Sequence, residues 1–121
     1  APRDLGPAEK SIAIVEAQLA KEPFVAPDAS ALDELGLGPS ELAAAERAGR
    51  LLRVGPIVLL PSAPQQAAEI LGQQPGEFTL SQARQALGTT RRVAVPLLEY
   101  MDARGLTRRT SDSARVLMKT T

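Results

Sequence analysis

The spacing of apolar residues changes from helical to strand-like at regular intervals along the chain. Ile12, Val15 and Leu19 fall at i, i+3 and i+7, so they share one face of a helix predicted over 7–21, ended by Pro23 and Pro27. A short helix follows over 28–35, with Asp28 or Ser30 as N-cap and Gly36 as its stop. Pro39 opens a third helix over 40–48, which Gly49 closes. Two short apolar strands, 50–54 and 57–60, then flank Gly55-Pro56.

The second half repeats this order. Ser62-Ala63-Pro64-Gln65 has capping-box spacing before the apolar positions Ala67, Ile70 and Leu71, and Gly72 stops that helix. Phe78-Thr79 is long enough for a short strand. Thr79-Leu80-Ser81-Gln82 is a second capping box, opening a helix over 80–87 that ends at Gly88. Thr89 or Thr90 caps the next helix, which runs to about Arg104 and stops at Gly105. Strands at 106–110 and 114–118 close the chain, with Ser111-Asp112-Ser113 at the tip, where Asp112 is placed to order the turn.

The halves align. Leu35-Gly36 corresponds to Leu87-Gly88, Gly49 to Gly105, and Arg53 to Arg109, with an offset of 52 to 56 residues. Self-similarity on this scale means two modules of one kind. Three helices followed by a two-stranded hairpin form the winged-helix variant of helix-turn-helix. The expected fold is therefore mainly α with small β wings, as tandem winged-helix modules at 1–61 and 62–121.

Charge separates the two modules. The whole chain of 121 residues has a formal net charge of zero. Residues 1–61 carry six basic groups against nine acids, and residues 62–121 carry eight against five. From Thr79 onward there are eight basic groups against three acids, and seven of the eight are Arg. Arg presents a planar fork of donors that suits phosphate, so this half points to a polyanion partner; the same count also fits a solvated basic surface.

Composition removes several chemistries. With no His and no Cys there is no Cys/His zinc site, no Ser-His-Asp triad, no thiol nucleophile and no disulfide framework. The aromatics are only Phe24, Phe78 and Tyr100, too few for a stacked-base platform. The apolar run 57–60 is far short of the roughly 20 residues of a membrane helix. The start, APRDLGPAEK, has no apolar signal region and no initiator Met, which predicts a fragment of a longer, cytoplasmic protein. No Gly-rich phosphate loop is present, so nucleotide hydrolysis is not expected of this chain, and no catalytic or metal-binding residue is assigned.

Candidate binding residues gather in the second module. In the helix after Gly88, Val93, Leu97, Tyr100 and Met101 lie at 0, 4, 7 and 8 and predict the inward stripe. Arg91 and Arg92 occupy its first turn, off that stripe. Cations oppose the macrodipole there at a cost of about 0.3–1 kcal/mol each. Next to the hydroxyls of Thr89 and Thr90 and the N–H groups of a helix start, they make a site for an anion. The wing adds Arg108 and Arg109 on one strand and Arg115 on the other, and neighbours in a strand point to opposite faces. Arg84 reaches either a phosphate or a neighbouring acid. In the first module the equivalent helix begins Ser40-Glu41 and its wing is apolar, which suits a spacer or a protein-contact module. The carboxylates Asp33, Glu34, Glu41 and Glu46 have the spacing of a solvated face.

The segment Phe78-Thr79, Ala83-Arg84, Leu87-Gly88-Thr89-Thr90-Arg91-Arg92, Ala94-Val95-Pro96-Leu97-Leu98-Glu99-Tyr100-Met101-Asp102, Gly105-Leu106-Thr107-Arg108-Arg109 and Arg115-Val116-Leu117 resembles the last winged-helix module of the bacterial selenocysteine-specific translation elongation factors, the SelB family. The resemblance covers about 78–117. Residues 1–61 are loosely similar to the preceding module of that family. Two places depart from the family pattern: Arg92-Val93 stands where Lys-Tyr is common, and the wing before Arg115 is longer and lacks glycine.

The resemblance implies a fragment that binds the SECIS hairpin of selenoprotein mRNA beside an in-frame UGA, without enzymatic activity of its own. It places GTP and Mg²⁺, with the GTPase and the contacts to selenocysteyl-tRNA and ribosome, in upstream domains outside this chain. It implies a monomer with no membrane partner and no cofactor in this fragment. The expected RNA contacts are Thr89, Thr90, Arg91 and Arg92 at the loop, with Arg84, Arg108, Arg109 and Arg115 around them. Two other readings of the same residues stand beside it: a winged-helix DNA-binding transcription regulator, and a protein scaffold acting through the first module.

Overall fold

The computed structural model describes residues 8–73, 76–111 and 114–118. The chain divides into two compact units, Ala1–Pro61 and Ser62–Thr121. Each is a winged-helix module with its own apolar core.

In the first unit, α1 (Ala8–Lys21) buries Ala8, Ile12, Val15 and Leu19 along one stripe. Helix α2 (Ala29–Glu34) starts at Asp28, whose carboxylate accepts from the Ala31 N–H at 2.8 Å. Gly36 follows in the left-handed region at φ 75°, which a residue with a Cβ rarely adopts. Helix α3 (Pro39–Arg47) leads to strands β1 (Leu52–Val54) and β2 (Ile57–Leu59), paired antiparallel with Leu52 opposite Leu59 and Val54 opposite Ile57. All three β2 residues are buried, so the apolar hairpin serves as core here.

Arg50, between α3 and β1, ties this hairpin back to α1. Its guanidinium donates to Glu16 at 2.5 and 3.1 Å and also bonds Glu9. Those two carboxylates make Arg50 hold its proton more firmly than usual, against a smaller opposing effect of burial. The strand expected from residue 50 therefore begins two residues later.

The second unit begins with α4 (Ala63–Leu71), which buries Ala63, Pro64, Ala67 and Leu71. The capping box expected at Ser62-Gln65 does not form. Ser62 sits in the α-region (φ −84°, ψ −6°) instead of the extended conformation an N-cap needs, and its side chain makes no cap bond. Gly72 ends α4 without a positive φ. Its role is close approach, since a Cβ there would lie 3.1 Å from both the Ala68 carbonyl oxygen and Leu117 Cδ2.

Strand β3 (Phe78–Thr79) runs directly into α5 (Leu80–Leu87). The expected capping box forms at this junction: Thr79 Oγ1 accepts from the Gln82 N–H at 3.1 Å, and Gln82 Oε1 accepts from the Thr79 N–H at 2.9 Å. Helix α6 (Arg91–Ala103) and strands β4 (Thr107–Ser111) and β5 (Ala114–Leu117) follow. The sheet has three strands in the order β3-β5-β4, all antiparallel. The wing is thus joined to the start of α5 as well as to the end of α6. The turn at Asp112-Ser113 lies outside the described residues.

Candidate nucleic-acid interface

Helices α5 and α6 form the helix-turn-helix pair, and three residues separate them. Gly88 takes the left-handed conformation (φ 64°, ψ 39°), and the Gly88 and Thr89 N–H groups bond the Gln85 and Arg84 carbonyls at 3.2 and 3.1 Å. This closes α5 and turns the chain. Thr90 takes the N-cap position of α6 in extended conformation; its carbonyl accepts from Val93 and Ala94, while its hydroxyl makes no cap bond. Arg91 and Arg92 then fill the first turn, both exposed. Thr89 is half-buried and Thr90 exposed, so the turn presents hydroxyls and guanidinium groups together.

The buried stripe of α6 is Val93, Ala94, Leu97, Leu98 and Met101. Tyr100, expected inside, is only half-buried. It holds Arg104 instead: the Arg104 Nε donates to Tyr100 Oη at 3.1 Å, and the guanidinium carbon lies 5.1 Å from the ring centroid. Val93, Leu97 and Met101 of the expected stripe are buried, and packing adds Ala94 and Leu98 in place of Tyr100.

The outer face of α6 carries Arg92, Val95 and Glu99 at i, i+3 and i+7. Glu99 is exposed, so the positive charge of this face is confined to its first turn. Pro96 interrupts the helix and removes the N–H that would bond the Arg92 carbonyl. A helix lying lengthwise in a duplex groove would set Glu99 against phosphates. A helix used end-on would not.

The wing begins at the other end of α6, where Asp102 gathers the side chains of Thr107 and Arg115. Thr107, buried on β4, donates its hydroxyl to Asp102 Oδ1 at 2.5 Å. Arg115 on β5 donates through Nε to both carboxylate oxygens, at 3.1 and 3.0 Å, and its terminal nitrogen lies 3.0 Å from Oδ2. Burial pushes the Asp102 carboxyl up, but the Arg115 and Thr107 hydrogen bonds and the nearby charge of Arg109 outweigh it and hold the group below its ordinary range.

Arg115, expected among the residues around the RNA, is held by Asp102. Its side chain is 11% exposed and forms a strut between sheet and helix. Asp102 and Thr107 are the residues that sequence reading left without a role, and their pairing depends on the fold across the Gly105 turn. Arg108 and Arg109 both remain exposed. Arg109 stands opposite Arg115 and Arg108 opposite Val116, so the two point to different faces of the sheet. Arg84 on α5 is half-buried.

Arg91 and Asp102 are eleven residues apart on one helix, about 16 Å along its axis. One phosphate cannot touch both the start of α6 and the wing. An extended polyanion can. The first unit has no equivalent of the α6 start: α3 follows Gly38, whose N–H donates to the Glu41 carboxylate at 2.9 Å, and Arg53 of its wing pairs with Glu46 at 3.3 Å. Among the described residues, no group of three or more His, Cys, Asp or Glu side chains is arranged to hold a metal, and no helix is long and apolar enough to cross a membrane.

Comparison with known proteins bears on the fold. Residues 69–116 match the family model described as elongation factor SelB, winged helix. The match lies wholly within the second unit and bears out the resemblance seen in its sequence. Two solved structures share the fold of nearly the whole chain. The bacterial selenocysteine-specific elongation factor EF-Sec superposes with a TM-score of 0.69 at 22% identity, over 93% of this chain. The mRNA-binding domain of elongation factor SelB from E. coli, solved in complex with SECIS RNA, superposes at 0.67 with 19% identity, over 93% of this chain and 98% of that one. This chain spans 18% of the length of EF-Sec. No curated protein matches it significantly.

Proposed function

We propose that this chain is the mRNA-binding part of a selenocysteine-specific elongation factor, and that its second unit holds a SECIS-type hairpin. The observation that carries this reading is the paired Arg91-Arg92 start of α6, exposed at the helix-turn-helix turn within the segment that matches the SelB winged helix. Backbone phosphates of the hairpin meet Arg91, Arg92 and the Thr89 and Thr90 hydroxyls, and the wing, with Arg108 and Arg109, lies along the flanking strand. Arg84, half-buried near the end of α5, adds charge. Sequence selectivity comes from looped-out bases, because side chains do not enter the deep, narrow major groove of A-form RNA. The first unit acts as a spacer or protein-contact module.

In this reading the chain binds as a monomer in the cytoplasm and neither catalyses a reaction nor needs a cofactor. GTP, Mg²⁺, selenocysteyl-tRNA and the main ribosome contacts belong to other domains of the parent factor. The test is a gel shift of the chain against a selenoprotein mRNA hairpin, the same hairpin with its loop replaced, and duplex DNA, at several salt concentrations. Preference for the intact hairpin supports the proposal. Equal or tighter binding to duplex DNA overturns it in favour of a DNA-binding regulator.

A further inference from the structure

The Asp102 cluster has no part in the phosphate contacts proposed above, yet it joins the three elements that carry the wing. Asp102 is on α6, Thr107 on β4 and Arg115 on β5. Arg115 is central in the sheet, opposite Phe78 on one side and Arg109 on the other. Phe78 is buried, so this is the face that meets the helices. Residues paired across an antiparallel ladder share a face, and the two cations Arg109 and Arg115 would repel if both stood unneutralised. The Asp102 carboxylate relieves this: three polar contacts fix Arg115 against the end of α6, and the charge of Arg109 also acts on the same carboxylate.

We propose that Asp102 is a positioning residue for RNA binding: by holding Thr107 and Arg115 it sets the wing against α6 and so sets where Arg109 meets the RNA backbone. The inference rests on the hairpin-binding reading. Its sign separates it from simple electrostatics. Removing an acid from a surface that binds RNA raises its positive charge and, by charge alone, strengthens binding. Removing the residue that orients the wing weakens it.

The test uses the full chain with a selenoprotein mRNA hairpin, measured by fluorescence anisotropy. Asp102→Asn removes the charge. Thr107→Val removes one hydroxyl while keeping the buried shape, and serves if the first variant folds poorly. The expected result is a loss of affinity of roughly three- to thirtyfold for Asp102→Asn, and a smaller loss for Thr107→Val. Arg109→Ala should then cost less in the Asp102→Asn background than in the wild type, because a misplaced Arg109 has less to lose. Additive losses, or unchanged or tighter binding by Asp102→Asn, overturn the proposal while leaving hairpin binding intact. Failure of the wild-type chain to bind the hairpin overturns both.

Discussion

Arg109 stands directly opposite Arg115 across the β4–β5 ladder, and Arg115 is bonded through its guanidinium to both carboxylate oxygens of Asp102 on α6. The consequence is a division of labour between identical side chains. Arg115 holds the sheet to the helix, and Arg109, exposed, remains at the surface of the wing. Each module position must therefore be judged by what surrounds it and not by its charge.

Substitution of Arg91 or Arg92 by Ala should weaken hairpin binding by about 1 kcal/mol each, or roughly fivefold, and lower the salt slope by about 0.7 to 0.9 per residue. Titrations at several salt concentrations measure both quantities. Unchanged affinity and slope in the double variant would remove the α6 start from the interface.

The two wing arginines should differ. Arg109→Ala is expected to cost several-fold in hairpin affinity, and Arg108→Ala clearly less, because they leave the sheet on opposite faces. Equal losses from the two, measured under the same salt conditions, would mean that the RNA passes over the wing's edge instead of one face.

Acid should loosen the second unit through Asp102. Its folded-state pKa lies below the ordinary 3.8, so its contribution is complete above that value and is lost as pH falls through the folded pKa. Thermal unfolding between pH 2 and 7 should show a decline beginning near pH 4 that Asp102→Asn lacks. A decline of the same size in the variant would assign the acid sensitivity to other carboxylates.

Arg50→Ala should destabilise the first unit by about 1 kcal/mol, since its side chain is 25% exposed and its ion pairs are partly screened. Hairpin affinity should stay as in the wild type. Amide hydrogen exchange should quicken in α1 and β1 while α6 is unaffected; a matching change in RNA affinity would give the first unit a direct part in binding.

Local chemistry made much of this fold legible. Gly36, Gly49, Gly88 and Gly105 all have φ between 64° and 78°, and each marks a turn that the position of glycine alone foretold. The Thr79-Gln82 box was readable because both of its bonds are made within four residues. Ser62-Gln65 has the same spacing and fails, because the backbone of Ser62 follows the turn that joins the units. What stayed hidden depends on partners distant in sequence. Arg115 looks like any basic wing residue until Asp102, thirteen positions earlier, is folded against it. The burial of Leu98 over Tyr100 was settled by packing, which a repeat of 3.6 does not specify.

Thr79 is both the last residue of β3 and the N-cap of α5, and its strand pairs with β5 of the wing. No loop intervenes between the wing's sheet and the first helix of the helix-turn-helix pair. The wing's sheet and the first turn of α5 are therefore tied through a single residue, Thr79, which belongs to both the β3–β5 ladder and the capping box.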